Sequence, residues 1–107
     1  MSQLKQQIQS DLAEARKARD KTRTGCLSMT LSEVHNREIE VGSELDDAGV
    51  RDVVTRAVKQ RRDAAGQMRD GGREELAAKE EREVEILQAY LPAQLDDDEV
   101  REIIRAI

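Results

Sequence analysis

The stretch VRDVVTRAVKQRRDAAGQM, residues 50–68, places apolar side chains at Val50, Val53, Val54, Ala57, Val58, Ala65 and Met68. Steps of three and four residues gather them on one face of an α-helix, whereas the period-two alternation of a strand would scatter them over both faces. Asp46 or Asp47 in LDDAGV can cap the start, and Gly71-Gly72 closes the run. A lone helix cannot cover such a face, so the chain must pack helices on helices.

The same period recurs on both sides. Leu4, Ile8, Leu12 and Ala15 follow Ser2, a suitable N-cap. Leu27, Leu31 and Val34 mark a second helix that starts near Asp20 or Thr22 and ends near Gly42-Ser43, with Thr24, Gly25, Ser28 and Thr30 diluting its stripe. Leu76, Val84, Leu87 and Leu91 form a fourth, stopped by Pro92, which also pushes Leu91 out of helical geometry. Asp96 with Glu99 three residues on resembles a capping box ahead of Val100, Ile103, Ile104 and Ile107, a fifth, short helix. The expected fold is all-α: an antiparallel four-helix bundle or two helical hairpins over residues 1–91, then a linker and the first helix of an incomplete carboxy-terminal helical domain over 92–107.

What fills the core is unusual. The chain has no Phe, no Trp and one Tyr, and Tyr90 stands beside the only Pro in QAYLPAQL. A core of Leu, Ile, Val, Ala and Met in 107 residues is a single small one and leaves no material for an aromatic-lined ligand pocket. Tyr90 suits an edge of the bundle, ring buried and hydroxyl wet.

The net charge of -5 and pI near 5.0 exclude a chain that coats nucleic acid or anionic lipid over its whole surface, so such contact must be local. Cys26 is alone, which excludes an internal disulfide and points to a reducing compartment. No apolar run approaches the ~20 residues of a membrane span. The start MSQLKQQIQS lacks the basic and apolar regions of a signal peptide, so a soluble cytoplasmic protein without membrane contact is expected.

Nothing suggests catalysis. His35 has no Ser or Cys arrangement of a triad, Ser32 occupies the place where a Glu-x-x-His metal motif needs its Glu, and Gly71-Gly72 follows a helix rather than a strand. No catalytic residue, metal or cofactor is expected.

Charge is the richer signal. Residues 51–73 hold seven basic and three acidic side chains, while residues 74–99 hold two basic and ten acidic ones. Folding at Gly71-Gly72 would bring Arg69 near Glu74 or Glu75 and Arg62 near Glu81, against the alternative of a phosphate-binding stripe of Lys59, Arg62, Arg69 and Arg73. A second basic cluster, Arg16, Lys17, Arg19, Lys21 and Arg23, has only Asp20 among it and is the better place for an anionic partner. Several charges also fall within the apolar stripes: Asp11 and Arg19 on helix one, Glu38 on helix two, Arg61 on helix three, Glu80 and Glu83 on helix four. Either they snorkel from the bundle edges, or Asp11, Glu38, Arg61, Glu80 and Glu83 form an internal ionic layer with Arg61 paired to Glu80 or Glu83. A dimetal carboxylate site would need histidine ligands on two helices, and the chain has one histidine.

The string KQRRDAAGQMRDGGREELAAKEEREVEILQAYLPAQL, with NREIE upstream and KARDKTR before it, resembles the YqeY family over essentially the whole chain. The resemblance implies an amino-terminal helical bundle and a smaller helical domain similar to the tail of the B subunit of glutamine-dependent tRNA amidotransferase, where the tail helps hold transfer RNA and chemistry occurs elsewhere. It therefore implies a non-enzymatic accessory module of the GatB/YqeY type, linked to a carbon–nitrogen ligase with glutamine as amido donor and to tRNA binding. The alternative is a helical protein-protein interaction adaptor without RNA binding, meeting another protein or a second copy through Val100, Ile103, Ile104 and Ile107. The sequence reaches Ile107 just past the first helix beyond YLPAQL, so tRNA binding is expected to be weak, salt-dependent and carried by residues 16–23.

Overall fold

The computed structural model describes residues 2–91 as four α-helices, and no strand occurs among the described residues: α1 (Gln3–Lys17), α2 (Lys21–Val41), α3 (Asp47–Asp70) and α4 (Glu74–Gln88). The expected fifth helix, with Val100, Ile103, Ile104 and Ile107, lies outside the described residues, as does the boundary expected at Pro92.

Each start has a local cause. The Ser2 and Asp20 side chains accept from Lys5 N and Arg23 N, and Asp46, rather than Asp47, caps α3 by accepting from Gly49 N at 2.8 Å. Helix ends use one device three times. After α2 and α3 the left-handed position is filled by Gly42 and Gly72, both at φ 76°. After α1 the same position is filled by Arg19 at φ 58°, with Asp20 N bonded to Ala15 O and Arg19 N to Arg16 O. Arg19 therefore leaves the helix-one stripe for an exposed turn.

Helix four stops at Gln88, two residues short of Tyr90, and Leu91 lies outside the helix as expected. Tyr90 N and Leu91 N bond back three residues, to Leu87 O and Gln88 O, so the last turn tightens ahead of the residue that precedes proline.

The helices pair most closely as two hairpins, α1 with α2 and α3 with α4. Ile8, Leu12, Leu27, Val34, Val50, Val54, Ala57, Val84 and Leu87 bury together where the hairpins meet, with Tyr90 and Leu91 packed at the margin. Thr30 belongs to this interior in spite of its hydroxyl, which donates to Cys26 O at 2.8 Å. The polar dilution of the second stripe thus leaves α2 continuous. Ala65 and Ala77 are buried outside that cluster, so the tip of the α3–α4 hairpin is held by its own small side chains and its charges.

Candidate anion-binding turn

The α1–α2 turn is where the first basic cluster lands. Arg16 and Lys17 end α1, Arg19 takes the left-handed position, and Lys21 opens α2, all four exposed and with no ion pair among the described residues. The one acid in the turn, Asp20, is occupied in accepting from Arg23 N at 3.0 Å. Cations at the end of α1 also favourably face the negative end of its dipole, which keeps them in place without neutralising them. Such a turn presents several ammonium and guanidinium groups to water at short spacing. That arrangement suits closely spaced phosphates.

Arg23 differs from the other four. Its guanidinium lies 3.9 Å from Asp11 Oδ2, beyond hydrogen-bonding reach, and it also faces the phenol oxygen of Tyr90. Tyr90 Oη donates to the same Asp11 oxygen at 2.5 Å, while Gln7 Nε2 donates to the other at 2.9 Å. The Tyr90 hydroxyl is therefore satisfied by protein rather than wet, because Asp11 sits in the apolar stripe of α1 and needs donors there. Burial, then the bond to Asp11, raises the phenol above its ordinary pKa and keeps it a donor.

The second basic group is dispersed. Arg69 is committed to Glu74 at 3.0 Å and to Glu81 across the hairpin, while Lys59 and Arg73 are exposed elsewhere. The exposed face of α3 carries Asp52 and Asp63 among Arg56, Lys59 and Arg62, so acids interrupt its basic residues.

The five stripe charges fall into three separate groups. Glu38 accepts from Lys5 Nζ at 2.9 Å and Leu45 N at 3.0 Å, and these bonds hold its carboxyl below the usual range. Arg61, 11% exposed, donates to Glu83 at 3.3 Å and to Ala57 O at 3.1 Å, with Glu80 alongside. Burial first, then the Glu83 charge, pushes Glu80 up. Asp11 belongs to the third group, with Tyr90. Cys26 lies beside the Arg61 group, its Sγ 3.8 Å from Glu83 O, and burial pushes its thiol up to about 11.

His35 is exposed, and among the described residues no three His, Cys, Asp or Glu side chains come together as metal ligands. No described helix is long and apolar enough to cross a membrane. Sequence reasoning passed over Lys5, the partner of Glu38, and over Tyr90 as the partner of Asp11; the signal for both was an acid on an apolar stripe that lacked a named donor.

These features define an all-α protein of two hairpins whose exposed turn concentrates positive charge. Comparison with protein families matches residues 5–107 to the family described as Yqey-like protein, and the chain belongs to the YqeY family. It is 31% identical over 87 residues to Altered inheritance of mitochondria protein 41, mitochondrial, from Eremothecium gossypii, covering 80% of this chain and 48% of that protein. The protein of the same name from Lachancea thermotolerans is 32% identical over 85 residues, 78% of this chain and 46% of its own length. The Saccharomyces cerevisiae protein (strain YJM789) is 27% identical over 107 residues, covering 94% of this chain and 58% of its own length. The chain thus spans about half the length of the curated relatives it matches. Those proteins are named as mitochondrial, which overturns the expectation of a cytoplasmic protein. A lone free thiol marks a reducing compartment, not which one.

Proposed function

We propose that this chain is a non-enzymatic accessory module of the GatB/YqeY type that helps hold transfer RNA for tRNA-dependent amidation, working in the mitochondrial setting given by its relatives' names. The observation that carries the reading is the α1–α2 turn: Arg16, Lys17, Arg19 and Lys21 are exposed and unpaired among the described residues, and Arg19 occupies a backbone position filled by glycine at the two equivalent turns. The partner contact is electrostatic and local, since the chain as a whole is acidic. Residues 92–107 form, on this reading, the start of the smaller domain.

The test is a binding series with unfractionated transfer RNA at ~50–200 mM salt, using the full chain and a variant with Arg16, Lys17, Arg19 and Lys21 all replaced by Gln. Affinity should fall steeply with salt, and the variant should lose most of the slope, about 0.7–0.9 per phosphate contact removed. Binding that survives both raised salt and the four substitutions overturns the reading. A second reading, a protein-interaction adaptor, is supported by an open groove of about 420 Å³ between α2 and α3, whose lining includes Val41, Leu45 and Val53 among more numerous polar side chains, and by Ile39 at 67% exposure. A chain that binds no transfer RNA even at low salt favours that reading.

A further inference from the structure

The three-residue arrangement of Asp11, Tyr90 and Arg23 does something the other basic residues do not require. Arg23 is the member of the cluster with an acid at its side, and a free carboxylate there would close on the guanidinium to a distance of about 2.8 Å, neutralise it and draw it inward. The observed separation is 3.9 Å. The reason lies in who occupies the carboxylate: Tyr90 Oη holds Oδ2, the oxygen nearest Arg23, at 2.5 Å and Gln7 holds Oδ1 at 2.9 Å, so Arg23 must share that oxygen with the phenol. The guanidinium stands between a neutral phenol oxygen and a carboxylate held off at 3.9 Å, oriented by both, with its side chain 35% exposed.

We propose that Tyr90 is a positioning residue for Arg23: by capping Asp11 it keeps that guanidinium available as a further phosphate-binding group of the α1–α2 turn. This rests on the reading of the turn as an RNA-binding site and deepens it. It also gives the chain's one aromatic side chain a role besides packing, because an ordinary apolar residue at 90 would fill the same margin of the core and leave Asp11 to Arg23. The phenol is suited to the task, being a donor to the carboxylate and carrying no charge of its own to compete for phosphate.

The experiment compares the full chain, Tyr90→Phe, Arg23→Gln and the double variant, each titrated with unfractionated transfer RNA over a salt series, with helicity and melting followed to establish that all are folded. Tyr90→Phe should lower affinity about tenfold at 50 mM salt and reduce the salt slope by about one phosphate contact. Arg23→Gln should do the same, and the double variant should lose no more than either single one, because both act through one guanidinium. A Phe variant that is folded and binds with unchanged slope overturns the proposal, as does one that binds more tightly or whose loss adds to that of Arg23→Gln. If the full chain itself shows no salt-dependent binding, the reading of the turn has failed and the proposal falls with it, a result distinguishable from failure of the Tyr90 step alone.

Discussion

Ser2 Oγ donates to Asp47 Oδ1 at 2.5 Å, joining the first turns of α1 and α3. Asp47 also accepts from Leu4 N at 3.1 Å, and Ser2 accepts from Lys5 N at 3.0 Å, so the two side chains together satisfy amide groups that begin α1. Ser2→Ala removes the cap and the donor to Asp47 at once at a buried position. It should cost about 1–2 kcal/mol in urea unfolding, with an unchanged denaturant slope. A cost near zero would mean that water replaces both bonds.

The same end of the molecule sets the response to acid. The Ser2 bond to Asp47, and the Lys5 and Leu45 bonds to Glu38, hold both carboxyls below their ordinary values of 3.8 and 4.5. A folded-state value below the unfolded one gives stability that is full above the unfolded value and lost as pH falls through the folded one. Stability should therefore decline on acidification below about pH 5. In the double variant Asp47→Asn, Glu38→Gln the decline should be shallower. Glu80 has the opposite sign: raised by burial, it contributes stability that is present at acid pH and lost as pH rises through its folded value. Glu80→Gln should accordingly be neutral or stabilising at pH 7. Urea unfolding across pH 3–7 reads all three.

Arg61 lies beside two acids, Glu80 and Glu83, that face each other. At 11% exposure it bonds Glu83 and the Ala57 carbonyl, and Glu80 lies close enough to Glu83 to feel its charge. Arg61→Ala leaves both carboxylates uncompensated and should cost about 2 kcal/mol or more. Glu83→Gln, which keeps a hydrogen-bond acceptor, should cost less. If Arg61→Ala costs within ~0.5 kcal/mol, the stems merely snorkel and the charges are held by water.

Cys26 is a probe of the same region. Its thiol is buried and pushed up to about 11 chiefly by that burial, so the thiolate is scarce at pH 8. Alkylation by iodoacetamide should proceed through opening of the core, and its rate should track stability across the Arg61 and Glu83 variants. Fast labelling of the folded chain, independent of stability, would contradict the burial.

Helix order was legible because the apolar steps and their punctuation agree: Ser2, Asp20 and Asp46 begin helices, and Gly42 and Gly72 lie beyond helix ends. The end of α4 comes two residues earlier than Pro92 alone implies, because the apolar period continues to Leu91 while the backbone has already tightened. Partners across the fold were harder. Periodicity locates Asp11 and Glu38 on apolar faces but says nothing of which distant donor reaches them, since Tyr90 and Lys5 arrive through the packing of whole helices. Thr30 shows the converse: a polar residue discounted by composition is fully buried because its own helix supplies the acceptor.

Arg19 sets stability against binding at one residue. Its φ of 58° lies in the left-handed region, which costs an ordinary side chain roughly 1–2 kcal/mol and glycine almost nothing. Glycine loses more entropy on folding, which offsets part of that gain, so Arg19→Gly should raise stability by about 0.5–1 kcal/mol. It should also remove one exposed cation from the turn and lower affinity for transfer RNA, with a salt slope smaller by about one contact. Arg19→Asn, whose short side chain tolerates the same conformation, should lose the same binding with less gain in stability. Melting and salt-series titration of both variants test this. Stabilisation without any loss of binding would detach the strained backbone from function and leave Arg16, Lys17 and Lys21 as the phosphate-binding set.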